Sequence, residues 1–396
     1  MRPTHGRAAP AAPAALAALA ALTLLAAGCG PQQPATGRHG ATPGQPAGAA
    51  EPGGFTLLAT GDVLPHTEII EQARKDAHGR GYDFGPMLAG VRPQVSGADL
   101  AICHMETVYG ADGGPFTGYP AFTSPPQVAA ALKATGYDSC STASNHTLDA
   151  GTDGVRRTLG ALDAAGVRHA GSARSADEAA RPALLKAGRA TVAQLAYTYG
   201  TNGIAVPEGQ PWTVGLIDRD KILTDARAAR RAGADVVVVS LHWGTEWQPE
   251  PDGQQRALAR DLTAARTGDR PDIDLVIGTH AHVPQAYEKV NGTWVVYGMG
   301  DQLAGYMYNP QGAVDSRGNQ SSMARFTFAP PHAAGGRWNV SKAEFIPQFT
   351  DVDRDFRVLP LTEAAPRGSA YARARDAIRD VVLSRGAADD GLTMTG

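Results

Sequence analysis

Short apolar, β-rich runs recur along this chain, and each ends in a cluster of polar side chains of the kind that hold metal ions. Phe55 to Ala59 leads into Gly61-Asp62, Leu100 to Cys103 into His104 and Glu106, and Tyr137 to Thr142 into Ser144-Asn145-His146. Farther on, Asp235 to Leu241 delivers His242, Ile273 to Ile277 delivers Gly278, His280 and His282, and Trp294 to Tyr297 ends in Gly298-Met299-Gly300-Asp301. Helical periodicity fills the intervals, over Pro126 to Thr135, Asp153 to Ala165, Asp220 to Ala232 and residues 254–266. In the second of these, Val155, Leu159 and Leu162 share a face and Gly166 supplies the stop. Strand alternating with helix predicts an α/β sheet. Every polar cluster then falls at a strand's C-terminal end, the edge where open α/β sheets bind ligands, so residues scattered along the chain are expected to meet.

The first 29 residues have a different character. Arg2 and Arg7 precede an Ala/Leu-rich stretch from Ala14 to Ala27, and Leu25-Ala26-Ala27-Gly28-Cys29 resembles a bacterial lipobox, at which the cysteine becomes the lipidated N-terminus. Residues 1–29 therefore read as a lipoprotein signal peptide with Cys29 as the lipidation site; cleavage nearby without lipidation is the alternative. Residues 30–54 hold almost no large apolar side chain and read as a flexible linker. The folded domain is expected over 55–350. Past Thr350 the pattern weakens, and 351–396 reads as a C-terminal extension with a helix from Ala370 to Ser384 followed by residues expected to fray.

A hydrophobic fraction of 43% with 19% charged residues excludes wholesale disorder and a multi-span membrane protein. A formal charge of -3 argues against a nucleic-acid partner. In an exported protein Cys103 and Cys140, at the ends of runs placed as neighbouring strands, are candidates for one disulfide; two buried thiols are the alternative.

Asp62, Glu106, Asn145, His242, His280 and His282 combine carboxylates, an amide oxygen and imidazoles, a donor mixture that suits Zn, Mn or Fe better than calcium. His280 and His282 on one loop suggest a pair of divalent cations a few ångströms apart. Residue by residue this resembles the calcineurin-like metallophosphoesterase pattern, and more closely the CapA-type capsule synthesis family. The resemblance is carried by Thr60-Gly61-Asp62-Val63-Leu64, Glu106-Thr107, Ser144-Asn145-His146-Thr147-Leu148-Asp149-Ala150-Gly151, His242-Trp243-Gly244-Thr245-Glu246 and Gly278-Thr279-His280-Ala281-His282, spanning 55 to about 302.

The resemblance implies a four-layer α/β/β/α sandwich, with Asp62 and His282 on one metal, Asn145, His242 and His280 on the other, and Glu106 bridging. It also implies that His146 acts as the acid toward the scissile ester or amide, with Asp149 orienting its ring. Two departures bear on the site. Leu64 stands where the phosphoesterase pattern has a histidine, which makes His66 and His104 further candidates as ligands or their supports. Gly298-Met299-Gly300-Asp301-Gln302 stands where the family more often reads Gly-Asn-Phe, which leaves that loop without an assigned role. Tyr119, Phe122, Trp243 and Glu246 are candidates for holding a substrate; packing of the loops onto the domain is the other account of the aromatics. The resemblance points to an exported, membrane-anchored protein acting on a cell-surface polymer such as poly-γ-glutamate, alongside capsule synthesis membrane proteins, as a metal-dependent hydrolase or transferase. A non-catalytic accessory protein that holds polymer is the alternative.

Overall fold

The computed structural model describes residues 53–333, 336–362 and 365–395, and all of them belong to one compact unit. The expected signal peptide with Cys29, and nearly all of the expected linker, lie outside the described residues. Among the described residues no helix is long and apolar enough to cross a membrane.

The apolar runs become strands that carry their polar clusters at the tips. In a nine-stranded sheet Phe55–Leu64, Leu100–Met105, Ser139–Ser141 and Arg168–Ala170 run parallel in that order. Beyond Phe55–Leu64 the sheet continues antiparallel through Gln320–Ala329, Asn339–Asp351 and Arg357–Pro360. A six-stranded sheet is built on the parallel set Ala190–Thr198, Val236–His242, Leu275–Thr279 and Thr293–Val296. Buried on both faces, strands such as Val236–His242 read as continuous apolar runs.

The two sheets share one core. Phe55, Leu57, Leu100 and Ile102 from the first meet Val192, Val236, Val238, Leu275 and Ile277 from the second. Helices cover the outer faces: Ile69, Leu132 and Leu162 pack on Leu58, Ala101 and Cys103, while Ile222, Ala226 and Leu262 pack on Val237, Val239 and Val276. The helix starts follow from capping. Asp218 accepts from Lys221 N at 2.8 Å to open Arg219–Arg231, and Asp252 with Gln255 forms a reciprocal capping box at Gly253–Ala264. Gly166, at φ +75°, ends Gly151–Ala165 as the sequence suggests.

Two parts of the architecture were not legible from the sequence. The hairpin of Ala183–Ala187 with Ala190–Thr198, and the long antiparallel pair Gln320–Ala329 with Asn339–Asp351, carry core residues such as Leu185, Val192, Phe326 and Phe345 in runs where alanine, threonine and serine blur the alternation. The expectation of a frayed tail is corrected as well. Ala374, Ile378 and Val382 of the helix Ala370–Val382 pack into the core between the sheets, Ala387 is fully buried, and Leu392–Met394 pairs parallel with Asn339–Asp351. The extension is thus part of the domain, and a helix joins the strands in closing its central core. Ile378→Ala should accordingly destabilise the chain by about 2–5 kcal/mol, the usual range for truncating a buried isoleucine, measured by urea denaturation; an unchanged midpoint would show that the tail is dispensable.

Candidate metal centre

The site begins where two backbones come unusually close. An added Cβ at Gly61 would lie 1.7 Å from Gly300 O, so only glycine lets Asp62 N donate to that carbonyl at 3.1 Å. Gly278 plays the same part beside Tyr297 O. The strand register then sets Asp62 opposite both His104 and Asp301, and His242 opposite Thr279. His280 and His282 take left-handed backbone conformations, with φ of +97° and +57°. Each costs on the order of 1–3 kcal/mol, strain that tends to gather at functional sites. His280 is held there by its backbone N, which donates to Asp62 Oδ2 at 3.0 Å.

All six principal residues converge. His242 Nε2 lies 2.9 Å from Asn145 Oδ1 and 3.7 Å from Glu106 Oε1, while its Nδ1 lies 3.8 Å from Asp62 Oδ1. Donor atoms of Asp62, Glu106 and His282 fall within 4.8 Å of one another, and so do those of Asp62, His104 and His242. Asn145 Nδ2 donates to Asn202 Oδ1 at 3.2 Å, which turns the amide oxygen toward His242. The imidazoles of His104 and His242 stack with centroids 4.7 Å apart, and His280 is equally close to His242.

Buried polar atoms are normally paired, yet here Asp62 Oδ1, both Glu106 oxygens, His104 Nε2, His280 Nδ1 and Asp301 Oδ2 have no hydrogen-bond partner. Their chemistry and placement fit divalent cations. Burial, with the Asp301 carboxylate beside it, pushes Asp62 up to about 8, and burial and Asp62 hold Glu106 well above the usual carboxylate range. Burial also keeps His242 and His280 well below the usual imidazole range and lowers His104 to about 3. For His282 burial acts the same way, but the Asp301 and Glu106 carboxylates outweigh it and raise the ring well above its ordinary value. The pattern is that of a site in which protons would have to offset carboxylate charge that cations offset better.

His146 stands at the rim with Nδ1 2.7 Å from Asp149 Oδ2, an oxygen that also accepts from Phe122 N at 2.7 Å. The ring is therefore oriented from behind. His104 joins the cluster, its Nε2 3.6 Å from Asp62 Oδ1 and its Nδ1 2.7 Å from Ser141 Oγ. His66 stays outside those groups: Gly305 N donates to its Nδ1 at 3.2 Å and its ring packs on Phe122. Leu64 is buried and paired with Ala304 in the sheet.

The substrate candidates divide. Phe122 and Trp243 are buried, the first edge-on to His146 and the second donating from Nε1 to Tyr297 O at 2.9 Å, so they pack the loops and do not present rings to a ligand. Tyr119 is 77% exposed and remains available. Glu246 is exposed, yet its carboxylate groups with His280 and His282 at cation-binding distances, nearer the metal chemistry than its assignment as a substrate contact suggests. Three residues were missed. Tyr199 lies with its ring 4.6 Å from His280 while half exposed, and Asn202 orients Asn145; both follow a strand that the sequence pattern does not reveal. Asp301, in the loop left without a role, is fully buried and bonded to His282; its place at a strand tip was the available signal. Cys103 and Cys140 are joined by a disulfide between neighbouring parallel strands, tying the strand of His104 to the one that leads to Asn145.

The sequence profile described as "Bacterial capsule synthesis protein PGA_cap" matches residues 56–306. PGA biosynthesis protein CapA of Bacillus subtilis is 30% identical over 173 residues, 43% of this chain and 43% of that protein. Capsule biosynthesis protein CapA of Bacillus anthracis is 27% identical over 43% of this chain and 41% of its own length, so the match spans less than half of either relative. Probable polyglutamine synthesis accessory protein of Mycobacterium tuberculosis is 29% identical over 292 residues, 64% of this chain and 73% of that protein. Among solved structures, the calcineurin-like phosphoesterase YfkN from Bacillus subtilis is similar at 15% identity and a TM-score of 0.46, covering 84% of this chain and 98% of that one. Since the matched profile takes in well over half of the sequence and every residue of the cluster from Asp62 to Asp301, the chain belongs to the bacterial capsule synthesis protein PGA_cap family.

Proposed function

We propose that this chain is an exported, lipid-anchored protein that holds two divalent cations, Zn, Mn or Fe, and acts as a hydrolase or transferase on a cell-surface polymer such as poly-γ-glutamate, working beside capsule synthesis membrane proteins. One observation carries the reading: buried donor atoms of Asp62, Glu106, His104 and His280 converge without partners of their own. Asp62 and His282 would hold one cation, Asn145, His242 and His280 the other, and Glu106 both. When bound, such ions supply positive charge that polarises an ester or amide oxygen and eases loss of a proton from water. The chain's own residues do the rest. Asp149 engages His146 at Nδ1 and leaves Nε2 to hold or deliver a proton at the scissile bond. The buried Phe122 ring against His146 limits how far that imidazole swings. Tyr119 and Tyr199 are exposed and would be the rings to contact a polymer.

A second reading is an accessory protein that holds polymer in the same pocket without turning it over. It is favoured by Leu64, which deprives the Asp62 side of the histidine found in the phosphoesterase pattern.

Chelator-treated full chain titrated with Mn²⁺ or Zn²⁺ should take up two cations and, at free cation about 100 times Kd, gain about 2.7 kcal/mol of stability for each cation bound, seen as a rise in Tm. Uptake of none removes the reading. His146→Ala should lower turnover of a generic phosphodiester or of poly-γ-glutamate about 100- to 10,000-fold while cation content stays the same. Polymer binding without turnover in the cation-loaded wild type would instead select the accessory role.

A further inference from the structure

We propose that Asp301 is a positioning residue of the cation centre, holding His282 through Nδ1 and completing the negative charge on the Asp62 side. The proposal deepens the two-cation reading and rests on it. Several independent features point the same way. Asp301 is fully buried; its Oδ1 lies 2.9 Å from His282 Nδ1, and its Oδ2 has no hydrogen-bond partner. The parallel pairing of Phe55–Leu64 with Asp301–Ala304 sets Asp301 directly opposite Asp62, and the bond from Asp62 N to Gly300 O fixes that approach. A carboxylate brought so close to another without a counter-charge is costly. Among the described residues the ion-pair partners of Asp62, Glu106 and Asp301 are imidazoles alone.

The bond to Asp301 also decides which ring nitrogen His282 offers. With Nδ1 committed to the carboxylate, Nε2 is the nitrogen left for a cation, in the set where His282 groups with Asp62 and Glu106. A carboxylate behind a ligating histidine fixes the tautomer, aims the ring and makes the free nitrogen a better donor. His282 needs such a hold, because its backbone sits at φ +57° and its neighbour His280 is strained as well. Position 64 offers no donor, being a buried leucine paired with Ala304, and His104 faces Asp62 from the neighbouring strand. The Asp62 side thus has one imidazole from this loop, and Asp301 is what steadies it.

The test uses the full chain, stripped with chelator and titrated calorimetrically with Zn²⁺ or Mn²⁺, with elemental analysis for stoichiometry. Asp301→Ala should weaken one of the two cations 10- to 100-fold, the usual loss when a ligand's carboxylate support is removed. Asp301→Asn, which keeps the shape and an acceptor oxygen but drops the charge, should lose affinity toward the lower end of that range. In Co²⁺-loaded protein the visible ligand-field bands should shift in both variants, while the Tm of the cation-free Asn variant stays near wild type; a purely structural role would do the reverse. If Asp301→Ala does not fold, Asp301→Asn carries the test. Wild-type affinity and unshifted bands in a folded variant overturn the role of Asp301 and leave the two-cation reading standing. A wild-type chain that takes up no cation overturns that reading itself, and this proposal with it.

Discussion

Three carboxylates, Asp62, Glu106 and Asp301, are buried close together at one edge of the sheets, faced by His282 and by His104, His242 and His280, the last three kept neutral by burial, and the rest of the site is arranged around the charge they share. Like charges out of water repel strongly, and taking them from water is itself expensive. Protons relieve part of this, as the raised Asp62 and Glu106 indicate, and His282 takes up another part through Asp301. Only added positive charge relieves all of it. The same unfavourable term that makes the cluster poor as a core therefore makes it good as a receptor for cations.

The scaffold is built to hold that arrangement rigid. Asp62 is fixed by main-chain bonds from both sides, through its own N to Gly300 O and through its carboxylate from His280 N. Left-handed His280 and His282 together store on the order of 2–6 kcal/mol, a sizeable share of the stability of an ordinary domain. The core that sustains the strain lies between the sheets and draws on the C-terminal helix through Ile378 and Val382. Residues long after the last site residue thus support the site's geometry, which is why the C-terminal segment belongs to the domain. Across the cluster, the disulfide of Cys103 with Cys140 holds the neighbouring strand in register.

Much of the scaffold was legible because its strands are buried on both faces. Asp235 to Leu241 and Ile273 to Ile277 announce themselves as unbroken apolar runs, and the stop signal at Gly166 is local chemistry. Ala190–Thr198 and Gln320–Ala329 were not, since alanine, threonine and serine serve either face of a sheet and leave a weak period. Phe122 and Trp243 were legible as aromatics beside the site, with substrate contact and loop packing both open, and burial decides for packing. Whether a loop ring faces solvent is settled by what packs over it, here His146, His66 and Tyr297 from distant parts of the chain.

What the sequence by itself determined is the order and chemical type of the donors, and their delivery at strand tips, because periodicity and turn residues act over a few neighbouring positions. Which donors touch was decided only in three dimensions. Asp62 and His280, 218 positions apart, share a hydrogen bond, and Asp301 becomes the partner of His282 because its strand pairs beside that of Asp62. Such pairings follow from register across sheets, and register is selected by the burial of whole strands against one another, a sum over many residues that no local motif contains.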